Sequence, residues 1–230
     1  MMMDGLIPGE EKLFFLINGA HTYLDCMMWV FSSIKIWIPL AAFILLNIAY
    51  KRSWRQYLPI FMLLVLLFFV CDQFSSHLIK PLVARPRPTH YPGIMEHVKI
   101  LFDYTGGRYG FISGHATNSF GFAVFSALLF KNRCYSFVVF SWAAIVAYSR
   151  IYLGVHFISD ILGGMVSGLL IGYLVYGFYL FIIKKISTGN DSFAIAAYSL
   201  HRVRLLTIGI TFYLILITTF STYIATFLLT

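Results

Sequence analysis

The stretch Tyr57-Leu-Pro-Ile-Phe-Met-Leu-Leu-Val-Leu-Leu-Phe-Phe-Val-Cys71-Asp72-Gln-Phe-Ser-Ser-His77-Leu-Ile79 decides the fold. Residues 57–71 carry no charge, and the whole reaches the roughly 20 residues a helix needs to cross a bilayer core. Moving outward, stretches of the same kind occupy Cys26–Tyr50, Gly114–Phe130, Tyr135–Leu153, Phe157–Ile183 and Leu205–Leu228, with Gly114–Phe130 and Tyr135–Leu153 the shortest. The expectation is an all-α fold, a polytopic membrane helix bundle of about six transmembrane helices. The bulk composition agrees. Of 230 residues 60% are hydrophobic and 11% charged, against about 25% charged in soluble domains. That excludes a soluble globular protein and a disordered one. A net charge of +8 in so apolar a chain reads as membrane topology and not as a nucleic-acid footprint.

Lys51, Arg52, Arg55, Lys131, Arg133, Lys184, Lys185, Arg202 and Arg204 fall on one side of these spans, with Asp191 as their acid. The excess of cations marks that side as cytoplasmic. Asp4, Glu10, Glu11 and Asp25, the segment Lys80–Ser113 and the turn Arg150–His156 fall on the other, extracytoplasmic side. Lys80, Arg85, Arg87, Lys99, Arg108 and Arg150 also lie there and run against the rule unless they have a chemical task. Residues 1–25 read as an interfacial N-terminus, with Leu13–Ala20 a short interfacial helix or the start of an overlong first span. The acidic Met1–Lys12 stretch is unlike the basic start of a cleavable signal peptide. No repeat or linker divides the chain, so 1–230 reads as one domain. Cys26, Cys71 and Cys134 have no metal-ligand or disulfide-framework spacing. The small residues Gly163-Gly164-Met-Val-Ser167-Gly168 suit close helix packing in lipid.

Residues 80–113 form the long irregular segment, with Pro81, Pro86, Pro88, Pro92 and the Gly106-Gly107 pair; loops of this length are usually functional. Three polar clusters meet the extracytoplasmic face at helix ends. In Lys80-Pro-Leu-Val-Ala-Arg85-Pro-Arg87-Pro88, prolines hold Arg87 on extended backbone, where it and Lys80 can face one anion; snorkelling cations would look the same. In Phe111-Ile-Ser113-Gly114-His115-Ala-Thr117, a helix start offers free N–H groups to a phosphate and His115 a proton, though a plain cap with an interfacial histidine fits as well. In Ser149-Arg150-Ile-Tyr-Leu-Gly-Val-His156-Phe-Ile-Ser-Asp160, His156 and Asp160 share a helix face at i, i+4. A carboxylate so placed can accept the Nδ1–H of the imidazole and leave Nε2 as a nucleophile. A structural His–Asp pair would share that spacing but would leave Arg150 unexplained. Three cations, an anion nest and two histidines, without a thiolate or an acidic metal cage, fit metal-independent phosphoryl transfer.

Lys80 followed after six residues by Arg87-Pro88, then Ser113-Gly114-His115, then Ser149-Arg150 followed after five residues by His156 and after three more by Asp160, resemble the signature motifs of the type 2 phosphatidic acid phosphatase (PAP2) superfamily. Ile112 stands where that family usually has proline. The resemblance implies an extracytoplasmic active-site loop at 80–113 and a reaction without metal or cofactor. It implies that His156 attacks phosphorus to form a phosphohistidine, that Asp160 holds its ring, and that His115 protonates the leaving oxygen and then activates water. Lys80, Arg87, Arg150, Ser113 and the Gly114 amide would bind the phosphoryl oxygens. The implied partners are the membrane and a lipid phosphate, with no nucleic acid. Leu13-Phe-Phe-Leu-Ile-Asn18, Leu24-Asp25 and Trp37-Ile-Pro39 resemble bacterial members acting on undecaprenyl diphosphate or on the 1- or 4′-phosphate of lipid A. The expected setting is a bacterial inner membrane with the site facing the periplasm. Phosphatidate or phosphatidylglycerol phosphate hydrolysis and lipid phosphotransfer stay open on sequence alone. An anion or lipid transporter is the rival class, but the duplicated broken helices expected of transporters are not seen.

Overall fold

The computed structural model describes residues 7–186 and 198–229; Asp4 and Asp191 of the charge pattern lie outside the described residues. Among the described residues the chain is helical without strands, save one isolated antiparallel bridge between Pro86 and Tyr109. The apolar run quoted above becomes α4 (Trp54–Asp72), which continues through a π-helical segment, Gln73–Ile79, into a last turn, α5 (Lys80–Val83). Together they form one apolar element, Trp54–Val83. At its start Gln56 Oε1 accepts from the Ser53 N–H at 3.3 Å, satisfying a donor that the helix leaves open. At its end Ala84 is left-handed at φ +50° and turns the chain into the loop.

Among the described residues four helices are long and apolar enough to cross a membrane, or five when a bent pair is counted as one span. They are Trp54–Val83, α7 (Arg133–Tyr152), α8 (Ile158–Ile186) and α9 (Leu200–Thr219). The bent pair is the first expected span. It breaks at Ser33, with extended φ and ψ, into α2 (Asp25–Ser32) and α3 (Ile34–Ala49), and the two parts meet at 55°. The polar Ser32-Ser33 pair favours helix ends over interiors, and Ser32 is tied to the buried Arg150. Trp37 spans the break by donating to the Phe31 carbonyl at 3.2 Å. The last expected span also divides, at Phe220, into α9 and α10 (Ser221–Leu229), which packs on α2. The helix α6 (Gly114–Phe130) has 17 residues, the lower limit for a crossing, and it is enclosed by α8, α7 and α4.

Glycines set the closest approach in the bundle. A β-carbon at Gly168 would stand 2.3 Å from the Thr117 carbonyl oxygen, and one at Gly172 would stand 2.4 Å from that of Gly121. At Gly164 it would be 2.6 Å from the Ser113 oxygen. The backbones of α6 and α8 therefore touch along this seam, the small-residue packing expected in lipid. The first described helix is α1 (Glu10–Ile17). It packs on α7 and α8 with Glu10 and Phe14 buried.

Candidate active site

One end of the bundle gathers α1, α5, the loop 84–113, the N-terminus of α6 and the α7–α8 turn. The loop is held to the helices by backbone pairing: the Arg87 N–H donates to the Arg108 carbonyl at 3.0 Å and the Gly110 N–H to that of Arg85 at 2.9 Å. These bonds hold Arg85-Pro86-Arg87 extended, so that both arginines project from the same face.

His156 and Asp160 lie in and just after the turn that starts α8, and both are buried. His156 Nδ1 stands 3.2 Å from Asp160 Oδ2, which also accepts from the Phe157 N–H at 2.9 Å. The carboxylate is thus anchored by its own helix start, and the ring is left with Nε2 as its outer nitrogen. Burial, then the charges of Arg87, Arg150 and Lys80, hold the His156 imidazole well below the usual histidine range. It is therefore neutral at physiological pH, the state a nucleophile requires. The Ser113 N–H donates to the Asp160 carbonyl at 2.9 Å, which joins the start of α6 to α8 beside the pair.

Three expected cations converge here. Arg150, fully enclosed at the end of α7, donates to Ser32 Oγ and, at 2.9 Å, to the Tyr104 hydroxyl, while its Nε has no hydrogen-bond partner. Arg87 Nε donates to the Tyr109 carbonyl at 3.0 Å, and its buried NH1 has no partner. A β-carbon at Gly106, φ +68°, would fall 2.3 Å from that NH1, so glycine is what lets the guanidinium lie there. Lys80 Nζ is 3.9 Å from where a Gly114 β-carbon would be, as are Ser75 Oγ at 3.2 Å and Ser76 Oγ at 3.7 Å. Ser75 is wholly buried and its hydroxyl unpartnered. Ser113 caps α6 by accepting from the Ala116 N–H at 3.4 Å, leaving the first amides of the helix open to an anion. His115, one residue further, lies within electrostatic reach of Arg150 and His156. Buried guanidinium donors without partners are costly unless an anion completes them.

The structure brings together all eight residues singled out in the sequence and adds others that the sequence did not single out. Arg85 donates to Asp160 Oδ1 and to Ser159 Oγ, Glu10 reaches Arg85 from α1, and Tyr104 and Ser32 brace Arg150. Asp72, at the end of α4, stays outside this cluster. It accepts from Ser76 at 3.1 Å and lies 3.7 Å from His77. Lys99 pairs with Asp25 at 3.4 Å and donates to the Gly19 carbonyl.

An all-helical membrane protein with a histidine–aspartate pair under a canopy of buried cations defines the class, a membrane enzyme that handles a phosphate. The PAP2 superfamily matches residues 59–184, and the chain belongs to it. It is 37% identical over 210 residues, 90% of its length and 89% of the relative's, to a lipid A 4′-phosphatase of Porphyromonas gingivalis. It is 34% identical over 193 residues, 83% and 84% of the two chains, to a lipid A 4′-phosphatase of Bacteroides thetaiotaomicron. Among solved structures, a transmembrane PAP2 type phosphatidylglycerolphosphate phosphatase from Bacillus subtilis matches with a TM-score of 0.57 at 26% identity, over 76% of this chain and 84% of that one. The protein is a lipid phosphatase of this superfamily.

Proposed function

We propose that the protein hydrolyses the 4′-phosphate of lipid A at the outer face of a bacterial inner membrane, with six crossings that bring the site to that face. The observation that carries the chemistry is the buried His156 ring held by Asp160 next to unpartnered donors of Arg87 and Arg150. His156 Nε2 attacks phosphorus, the ester P–O bond breaks, and the leaving sugar oxygen takes a proton from His115. In the second step His115 removes a proton from water, the hydroxide oxygen bonds to phosphorus, and the P–N bond breaks to release phosphate and free His156. Lys80, Arg87, Arg150, Ser113 and the Gly114 amide carry the charge of the phosphoryl oxygens, which is where phosphoryl transfer draws most of its catalysis. Side-chain cations do this work in the scheme, without a metal.

Two relatives that share the chain nearly end to end, both lipid A 4′-phosphatases, support the substrate choice. An apolar cleft of about 320 Å³, lined by Trp37, Leu40, Ile44, Phe68, Phe122 and Trp142 among others, adds room for an acyl chain. Phe122 lies two turns along α6 from His115, on the same face. A second reading, phosphatidylglycerophosphate hydrolysis, has the Bacillus structural neighbour in its favour.

The test measures phosphate released by purified protein from bisphosphoryl lipid A and from phosphatidylglycerophosphate in detergent, with mass spectrometry assigning the phosphate lost from lipid A. Faster release from lipid A at the 4′ position is expected, and His156→Ala or His115→Ala should abolish it while the protein still inserts. Loss of the 1-phosphate, or preference for the glycerophospholipid, would overturn the substrate; full activity in either variant would overturn the site.

A further inference from the structure

Glu10 and Arg85 belong to no part of the scheme above, yet Arg85 is held against its aspartate and Glu10 against Arg85. Arg85 is 10% exposed and Glu10 3%. Arg85 donates to Asp160 Oδ1, the oxygen that His156 does not use, and to Ser159 Oγ at 2.8 Å. Its guanidinium lies over the rings of Phe111 and Phe157, at 5.1 and 5.4 Å. Glu10 Oε2 stands 3.8 Å from Arg85, and Glu10 Oε1 accepts from the Ser159 N–H at 2.7 Å. The side chain that brings Glu10 here is its neighbour one turn on: Phe14, wholly buried, packs on Phe157 with ring centroids 5.4 Å apart. A glutamate and a phenylalanine at i, i+4 thus dock α1 on the first turn of α8.

We infer that Glu10 and Arg85 are positioning residues for the reaction, and that the N-terminal helix is in this way part of the catalytic centre. The inference rests on the reading of His156 and Asp160 given above. Its physical basis is a charge sum. Asp160 alone with Arg85 would form a neutral pair, and His156 would then face Arg87, Arg150 and Lys80 with no net negative charge from the protein beside it. Glu10 returns the chain Glu10–Arg85–Asp160 to a net charge of −1. In a site of low dielectric, that negative end stabilises the positive charge the imidazole acquires as its nitrogen bonds to phosphorus. Arg85 meanwhile fixes the carboxylate plane, and with it the ring that Asp160 orients.

Glu10→Gln keeps an oxygen for the Ser159 N–H and removes only the charge. With the faster of the two lipids tested above, kcat should fall about tenfold with KM within about twofold, since the lost interaction belongs to the transition state. In an Asp160→Asn background the same change should cost less than about twofold, because its route runs through Asp160. A Glu10→Gln enzyme with kcat within twofold of wild type, or one whose loss is undiminished in the Asp160→Asn background, overturns the inference and leaves the site reading standing. An Asp160→Asn enzyme at the wild-type rate overturns both. Should Glu10→Gln not accumulate in membranes, Arg85→Lys, which keeps the charge but not the fork, is read by the same criteria.

Discussion

His156 sits in the turn between α7 and α8, where burial and the neighbouring arginines keep its ring neutral. That state links the site to stability. An unfolded histidine titrates near about 6.5, whereas the native one titrates well below, so at acid pH the unfolded chain binds a proton that the native chain refuses. Stability held above about pH 6.5 should therefore be lost as pH falls toward the native pKa. Thermal unfolding in detergent between pH 7.5 and 5.5 checks this: the midpoint of wild type should drop further than that of His156→Gln, and equal drops would contradict it. The sequence disclosed this residue and its partner through i, i+4 spacing. It did not disclose Arg85, which entered only the charge count, although the extended backbone implied by Pro86 and Pro88 already set it on the face of Arg87 at i, i+2. Glu10 left no local signal, because its partner stands 75 residues away in sequence and only the docking of α1 joins them.

At the scale of elements, apolar length alone located every long helix but not where helices break or touch. The run from Tyr57 to Ile79 carries no period that separates α from π geometry, so the π-helical Gln73–Ile79 segment was invisible in it; such segments recur at functional sites, and this one leads directly into Lys80. The Ser33 break was half legible, since the Ser32-Ser33 pair is local whereas the tie of Ser32 to Arg150 is long-range. The α6–α8 seam, by contrast, was announced by glycines. Because the Gly168 contact is with backbone, no side chain can swing aside to relieve it. Gly168→Ala should separate α6 from α8, moving His115 away from His156, and destabilise the fold by about 1–3 kcal/mol, the usual cost of overpacking. Gly177, on the same helix with open space around it, supplies the contrast: Gly177→Ala should leave both melting temperature and phosphate release at wild-type values. Comparable losses in the two variants would show that glycine content, and not the seam, governs the helix.

Over the whole molecule the cations divide between the two ends of the bundle, and the division is physical as well as statistical. At the end away from the site they engage aromatic faces: Arg52 lies 3.9 Å above the Tyr198 ring and Arg202 5.5 Å from that of Tyr50. Such contacts let arginines remain at a lipid–water boundary, where their charge sets orientation. At the site end Arg85, Arg87 and Arg150 are turned inward and buried, so they are hidden from the topological rule they seemed to break. Counting only outward-facing cations favours the proposed orientation, in which the first end is cytoplasmic. The exposed Cys134 follows Arg133 at that end, and the exposed Glu96 lies in the loop at the other. In intact cells whose outer barrier is permeabilised, an impermeant maleimide should leave Cys134 unlabelled until the inner membrane is opened. With Cys26, Cys71 and Cys134 replaced by serine, Glu96→Cys should be labelled at once. The opposite pattern would put the phosphate site in the cytoplasm and remove the outer-face lipid A pool as its substrate, whatever the purified enzyme hydrolyses in detergent.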